Sequence, residues 1–214
     1  MVKWLLKLIH KPIYERRLEI LAEKIISHLD PGDKVLDIGC GSGMLGAAVL
    51  KHADCPSGVT YRGLEKYKRG GEPIEVLEYE AGRLPFGDHA FNVVVLADVL
   101  HHEDQEGFLF SEAARVSKRF LLVKDHKPEG FLGFWRICFL DWAANNPYGV
   151  RCLYRYHTLN EWHALFEEHG LVLISEETSI DLYPPLFNLL FGRRLQYIAV
   201  LRRLSTEPDN FLVR

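Results

Sequence analysis

Apolar residues along this chain fall into two alternating patterns. Short runs at 34–38, 59–64, 74–79, 91–96, 119–126, 171–175 and 195–201 are rich in Val, Ile, Leu and Phe, as strands are. Between most of them the apolar spacing stretches to three and four. Leu18, Leu21, Ile25 and Leu29 make one such stripe within 13–29, and residues 44–52, 106–117, 130–144 and 158–170 carry others. Stripes of this kind belong to helices with one buried face. The run at 91–96 is continuous rather than alternating, which predicts a strand covered on both sides. Punctuation sets the limits: Asp30-Pro31-Gly32-Asp33 and Pro56-Ser57-Gly58 read as turns, and Thr158 with Glu161 as a capping box. Residues 182–191 hold two prolines and read as an apolar loop. Five strands interleaved with helices, then a helix and a two-strand ending, predict an α/β fold. Its form is a doubly wound, mostly parallel seven-stranded sheet with helices on both faces. With no repeat, low-complexity tract or linker, residues 1–214 suit a single domain.

The stretch that carries chemistry is Asp37-x-Gly39-x-Gly41-x-Gly43, which ends the first strand and opens the next helix. Alternate glycines allow positive φ and let a ligand approach the backbone without meeting a Cβ. Unpaired amides at the helix start then face that ligand. This is a nucleotide-type site, and two ligand classes share its geometry. Gly41-Ser42-Gly43-Met44-Leu45-Gly46 also satisfies the dinucleotide spacing G-x-G-x-x-G. A pyrophosphate there, however, would lie near an ionised Asp37 in a medium of reduced dielectric, whereas a cationic ligand would gain from that carboxylate. Glu65 ends the second strand some way beyond the turn, where one carboxylate can accept two hydrogen bonds from a ribose diol.

The pattern Asp-x-Gly-x-Gly-x-Gly resembles the first motif of the class I S-adenosylmethionine-dependent methyltransferases. The chain is similar over residues 30–126 to the broad type 11 group that acts on small molecules. Glu80-Ala81 followed by Leu84-Pro85-Phe86 resembles the segment after strand three, with Glu where most relatives carry Asp. Asp98-Val99-Leu100-His101-His102 resembles the segment after strand four that often ends in a histidine pair, while Ser117-Lys118-Arg119 replaces the usual Pro-Gly turn. The resemblance implies a Rossmann-like fold that binds S-adenosylmethionine and releases S-adenosylhomocysteine. It implies that Asp37 and the backbone around Gly39, Cys40, Gly41 and Gly43 hold the amino-acid half of the cofactor. Glu65 would then take the ribose, Glu80 and Ala81 the adenine, and the carbonyls near Leu96 and Ala97 the ammonium group.

Methyl transfer is a displacement at a sulfonium whose leaving group needs no acid, so the protein supplies alignment and a dry environment. An acceptor hydroxyl or acidic carbon does need a base. His126, ending the fifth strand, is the first candidate; His102 on the same rim and the group Tyr154, Tyr156 and His157 are others. The run His101-His102-Glu103-Asp104 could suggest a metal, but adjacent residues rarely face one ion, and no metal is expected. Residues 127–158 form an insertion with eight aromatic residues, suited to the pocket of a small apolar or aromatic acceptor.

A formal charge of -3 offers no footprint for nucleic acid. Four cysteines without C-x-x-C spacing read as free thiols in a reducing compartment, which points to the cytoplasm. Residues 1–29 form an N-terminal helical cap. Within it, 1–12 form a short basic, apolar segment ending at Pro12, which fits a helix folded over the cofactor cleft through Trp4, Leu5 and Leu8 better than a peripheral membrane contact, since one brief segment anchors weakly. The expected function is methyl transfer to a small acceptor; the alternative is a non-catalytic cofactor-binding protein or partner subunit.

Overall fold

The computed structural model describes residues 2–80, 82–146 and 149–203, with 2–11 as backbone only. Seven strands form one sheet: β1 (Lys34–Ile38), β2 (Thr60–Glu65), β3 (Glu75–Glu78), β4 (Phe91–Ala97), β5 (Ser117–His126), β6 (Leu171–Glu177) and β7 (Gln196–Arg203). Their order is β3-β2-β1-β4-β5-β7-β6. All pairs are parallel except those of β7, which runs antiparallel to β5 and to β6. The order reverses between β1 and β4, and the carboxyl ends of the strands flanking such a reversal form the crevice where ligands bind in open α/β sheets.

Side-chain alternation builds a core on each face. Leu36, Ile38, Leu64, Val94, Leu96, Leu121 and Val123 pack with Phe110 of α3 (Glu106–Val116) and with Trp162 and Phe166 of α5 (Leu159–Glu168). The neighbouring residues Val35, Tyr61, Val93, Val95, Leu122, Ile198 and Val200 point the other way. They meet Leu18, Leu21, Ala22 and Ile25 of α1 (Val2–Ile26) and Leu45 and Val49 of α2 (Met44–Lys51). The seven-stranded, mostly parallel sheet with helices on both faces is therefore as the spacing predicts.

Three local features differ from expectation. A single α1 runs through Pro12 instead of stopping there. Pro12 is exposed, so the carbonyl that its missing N–H leaves unpaired can turn to solvent, while the buried stripe from Leu18 onward fixes the helix. The expected contacts of Trp4, Leu5 and Leu8 lie outside the described side chains. Residues 182–191 are not wholly loop, because α6 (Pro185–Phe191) starts with proline at its first position, where no N–H is needed. The third is α4 (Gly133–Asn145), which is entered through Leu132 at φ 51, three residues later than the apolar run suggested. The capping box is as read: Glu161 N donates to Thr158 Oγ1, and Thr158 N donates to the Glu161 carboxylate.

Candidate active site

The glycine turn lies between β1 and α2, with Gly39 at φ 71, Gly41 at φ 58 and Gly43 at φ 73. Only one of the three is open. A Cβ on Gly39 would collide with Val99 Cγ2, and one on Gly43 would sit 2.7 Å from Ile74 Cγ1. At Gly41 the nearest atom would be the Arg69 guanidinium at 3.6 Å. Gly39 and Gly43 thus serve close packing, and Gly41 is where a ligand can reach the backbone. The turn is pinned to β2, since Gly39 N and Cys40 N both donate to Leu64 O (2.8 and 3.2 Å). Gly41 N donates to Glu65 Oε2 at 2.7 Å, and Lys66 N to Glu65 Oε1 at 2.9 Å. Two residues 24 positions apart, Gly41 and Glu65, are thereby brought to one point.

Asp37 lies beneath this turn rather than in the open crevice. It is buried, and Tyr61 Oη donates to its Oδ2 at 3.2 Å. Burial pushes its carboxyl up to about 7; Glu65 pushes in the same direction, while Tyr61 and Arg17 pull it down. Leu96 is buried and Ala97 half-buried at the end of β4. Glu80 is exposed just past β3, and Ala81 lies outside the described residues.

A second group stands where β4 and β5 end. Asp98 adopts φ 57, an uncommon conformation for a non-glycine residue, and its amide donates to Lys124 O at 2.8 Å. Its carboxylate accepts from Arg17 of α1 at 2.6 Å and from Lys124. Burial raises the Asp98 carboxyl, but Lys124, His126 and Arg17 outweigh it and hold the group well below its usual range. His126 Nε2 lies 3.6 Å from Asp98 Oδ1. Burial and the Lys124 charge push His126 down to about 4, which leaves it neutral and a weak base near pH 7.

His102, the other candidate base, lies in the 3-10 turn Leu100–His102. Its Nδ1 donates to Arg151 O at 3.0 Å, and burial and His101 push it down. His101 Nδ1 donates to Asp125 Oδ1 at 2.6 Å. Burial opposes a charge on His101, yet Asp125 and Asp141 raise it to about 10. The expectation that neighbouring histidines would face apart does not hold. The two ring centroids are 4.2 Å apart, and both rings turn toward Asp141 of α4. Sequence reasoning missed Asp141, Asp125, Lys124 and Arg17. Lys124 and Asp125 follow an apolar run in β5, the one signal that marked them.

The aromatic insertion splits its residues between two roles. Tyr156 donates to Asp141 Oδ2 at 2.7 Å and stands 5.3 Å from the His101 ring and 6.0 Å from that of His126, with Phe134 beside it. Trp135 (67% exposed), Phe139 and Trp142 of α4 remain at the surface, as do Leu186, Leu189 and Leu190 of α6. No helix among the described residues is long and apolar enough to cross a membrane.

Residues 36–120 match a family described as methyltransferase domain. That segment holds the glycine turn, Glu65, Glu80, Asp98 and the histidine pair. The fold is similar to that of the YcgJ protein from Bacillus subtilis, at 19% identity and a TM-score of 0.60, over 89% of this chain and 100% of that one. It is similar to a methyltransferase from Aquifex aeolicus, at 17% identity and 0.59, over 86% and 91% of the two chains. A third likeness, to a methyltransferase from Thermotoga maritima, has 18% identity and a TM-score of 0.60 over 94% and 95%. No curated protein sequence matches the chain. Fold and matched segment together define a class I S-adenosylmethionine-dependent methyltransferase. The match to the methyltransferase-domain family itself is confined to residues 36–120.

Proposed function

We propose that the protein transfers the methyl group of S-adenosylmethionine to a small apolar or aromatic acceptor at the carboxyl rim of β4 and β5. The observation that carries this reading is the set Asp37, Gly41 and Glu65: a glycine whose Cα side is open, tied by its amide to one carboxylate and close to a second at the sheet's reversal point. A sulfonium and an ammonium suit that field, and a pyrophosphate does not. When bound, the cofactor supplies an electrophilic methyl that passes to the acceptor's lone pair while sulfur takes back the bonding electrons.

The chain's own residues align and enclose. Gly41 admits the amino-acid half, Glu65 meets the ribose, and Asp37 lends charge from beneath the turn. Phe134 and Tyr156 offer an aromatic wall. Neutral His126 accepts a hydrogen bond from an acceptor hydroxyl, and because its basicity is so low the proton released as the O–CH3 bond forms passes on to solvent.

The test is calorimetric titration with S-adenosylmethionine, S-adenosylhomocysteine and NAD, followed by a panel of apolar phenols and quinones. Binding of both sulfur nucleosides, with one methyl added to a panel member, is the expected result. Binding without turnover supports the non-catalytic partner instead, and binding of NAD alone overturns the assignment. The exposed apolar face of α4 and α6 supports extending the proposal to a peripheral membrane contact. Sedimentation with phosphatidylcholine vesicles, lost in Trp135→Asp, is the outcome expected; no sedimentation of the wild type removes that contact.

A further inference from the structure

We infer that His101, His102 and Asp141 form a binding site for one divalent first-row transition-metal ion, held by two imidazoles and one carboxylate. The inference does not depend on the methyl-transfer reading. His101 Nε2 lies 3.6 Å and His102 Nε2 3.4 Å from Asp141 Oδ1, and the three donor atoms all fall within 4.8 Å of one another. Bonds of about 2.0–2.1 Å arranged tetrahedrally put donor atoms roughly 3.3–3.4 Å apart. Both histidine-to-carboxylate spacings are close to that value. For His101 the spacing is too long for a hydrogen bond.

The outer contacts set both rings for that task. His101 Nδ1 donates to Asp125 Oδ1 at 2.6 Å, and His102 Nδ1 donates to Arg151 O at 3.0 Å. With a proton committed to each Nδ1, both rings present Nε2 toward the same carboxylate oxygen. Tyr156 Oη fixes the other oxygen of Asp141 at 2.7 Å. Metal-bound histidines are held in this way, by an acceptor on the far ring nitrogen. Asn145 Nδ2 touches Asp141 Oδ1 at 2.7 Å and His102 Nε2 at 3.3 Å, and it would give up the second contact to an ion.

A second observation points to a ligand. His101 is 2% exposed, yet its Nε2 has no hydrogen-bond partner among the described residues. Asp125 Oδ2 and His126 Nδ1, on either side of the same cluster, are unpaired too. Buried orphans gathered at one place mark a missing water or ion. The competing explanation is a protonated His101 held between Asp125 and Asp141. That accounts for His101, while at His102 the two hydrogens of the Asn145 amide bridge Nε2 and the carboxylate, a bridge that an ion would take over.

Imidazole with a single carboxylate favours zinc, cobalt or iron over magnesium or calcium. Three protein ligands leave a position for water or another oxygen donor. The probe is cobalt(II), titrated into chelator-treated protein and followed by its visible d–d absorption. One equivalent is expected to saturate the signal, and zinc to abolish it. His102→Ala and Asp141→Asn are each expected to weaken binding at least tenfold, and His163→Ala to leave it unchanged. Should either ligand variant fail to fold, Tyr156→Phe decides, since losing an outer partner weakens affinity about 10-fold to 100-fold. No saturable signal, sulfur-to-cobalt charge transfer from a cysteine, or unchanged affinity in Tyr156→Phe and Asp141→Asn would overturn the site.

Discussion

Asp37→Asn is expected to stabilise the cofactor-free protein above pH 7 and to weaken S-adenosylmethionine binding at least tenfold. The Asp37 carboxyl sits 1% exposed under the glycine turn with Tyr61 as its hydrogen-bond donor. Burial raises it to about 7, so folding favours its neutral form. Its contribution to stability is complete below the ordinary carboxylate range and is lost as pH climbs through about 7. The isosteric amide carries no such dependence. Removing the buried charge is worth about 2–4 kcal/mol at alkaline pH, a shift of some three units at about 1.4 kcal/mol each being the upper bound. A cationic ligand needs the ionised form, so binding releases a proton, and wild-type affinity should fall by up to about tenfold per unit below pH 7. The amide variant should flatten that slope. Thermal unfolding and calorimetry between about pH 6 and pH 8 check both halves. A variant that binds as tightly as wild type at every pH would confine Asp37 to a packing role. A gain in stability coupled to a loss in binding is what a site tuned for its ligand shows.

How far the sequence discloses this molecule depends on the distance over which each feature is built. The strands are legible because runs such as Val93-Val94-Val95 are β-branched, apolar and local. The glycine turn is legible because its spacing is its mechanism. Even there, sequence does not distinguish Gly41, which stays open, from Gly39 and Gly43, whose neighbours Val99 and Ile74 arrive from elsewhere in the chain. Pro12 was misread because helix-breaking is a local tendency, and the tertiary contacts of α1 override it. The rim cluster is the clearest limit. Arg17 reaches Asp98 across 81 positions, and Asp141 meets the histidine pair from a helix whose apolar composition conceals a lone acid. Periodicity reports which face is buried; it does not report that a charged residue on that face has a partner on another element.

The same cluster yields the other large effect: Asp98→Asn is expected to destabilise the fold by about 3–5 kcal/mol at neutral pH, the range for removing one partner of a buried ion pair. Lys124 is fully buried, and burial already works against its charge, with Asp98 the main group that sustains it. Arg17 leans on the same carboxylate. Once that anion is removed, two cations face each other with only the weaker pull of Asp125 on Lys124 to offset them. The sign with pH follows from the depressed carboxyl. Asp98 contributes stability above the ordinary carboxylate range and loses it only as pH falls through its much lower folded value. The deficit of the variant should therefore hold across neutral pH and shrink only in strong acid. Adding Lys124→Met removes the cation that the amide leaves stranded, so the double variant should recover part of the loss, and a denaturant-unfolding cycle measures that coupling. Additive losses would mean that Asp98 acts through its strained backbone alone. Coupling of about 1 kcal/mol or more would mean that the ion pair itself holds the ends of β4 and β5 together, and with them the position of His126 at the proposed acceptor site.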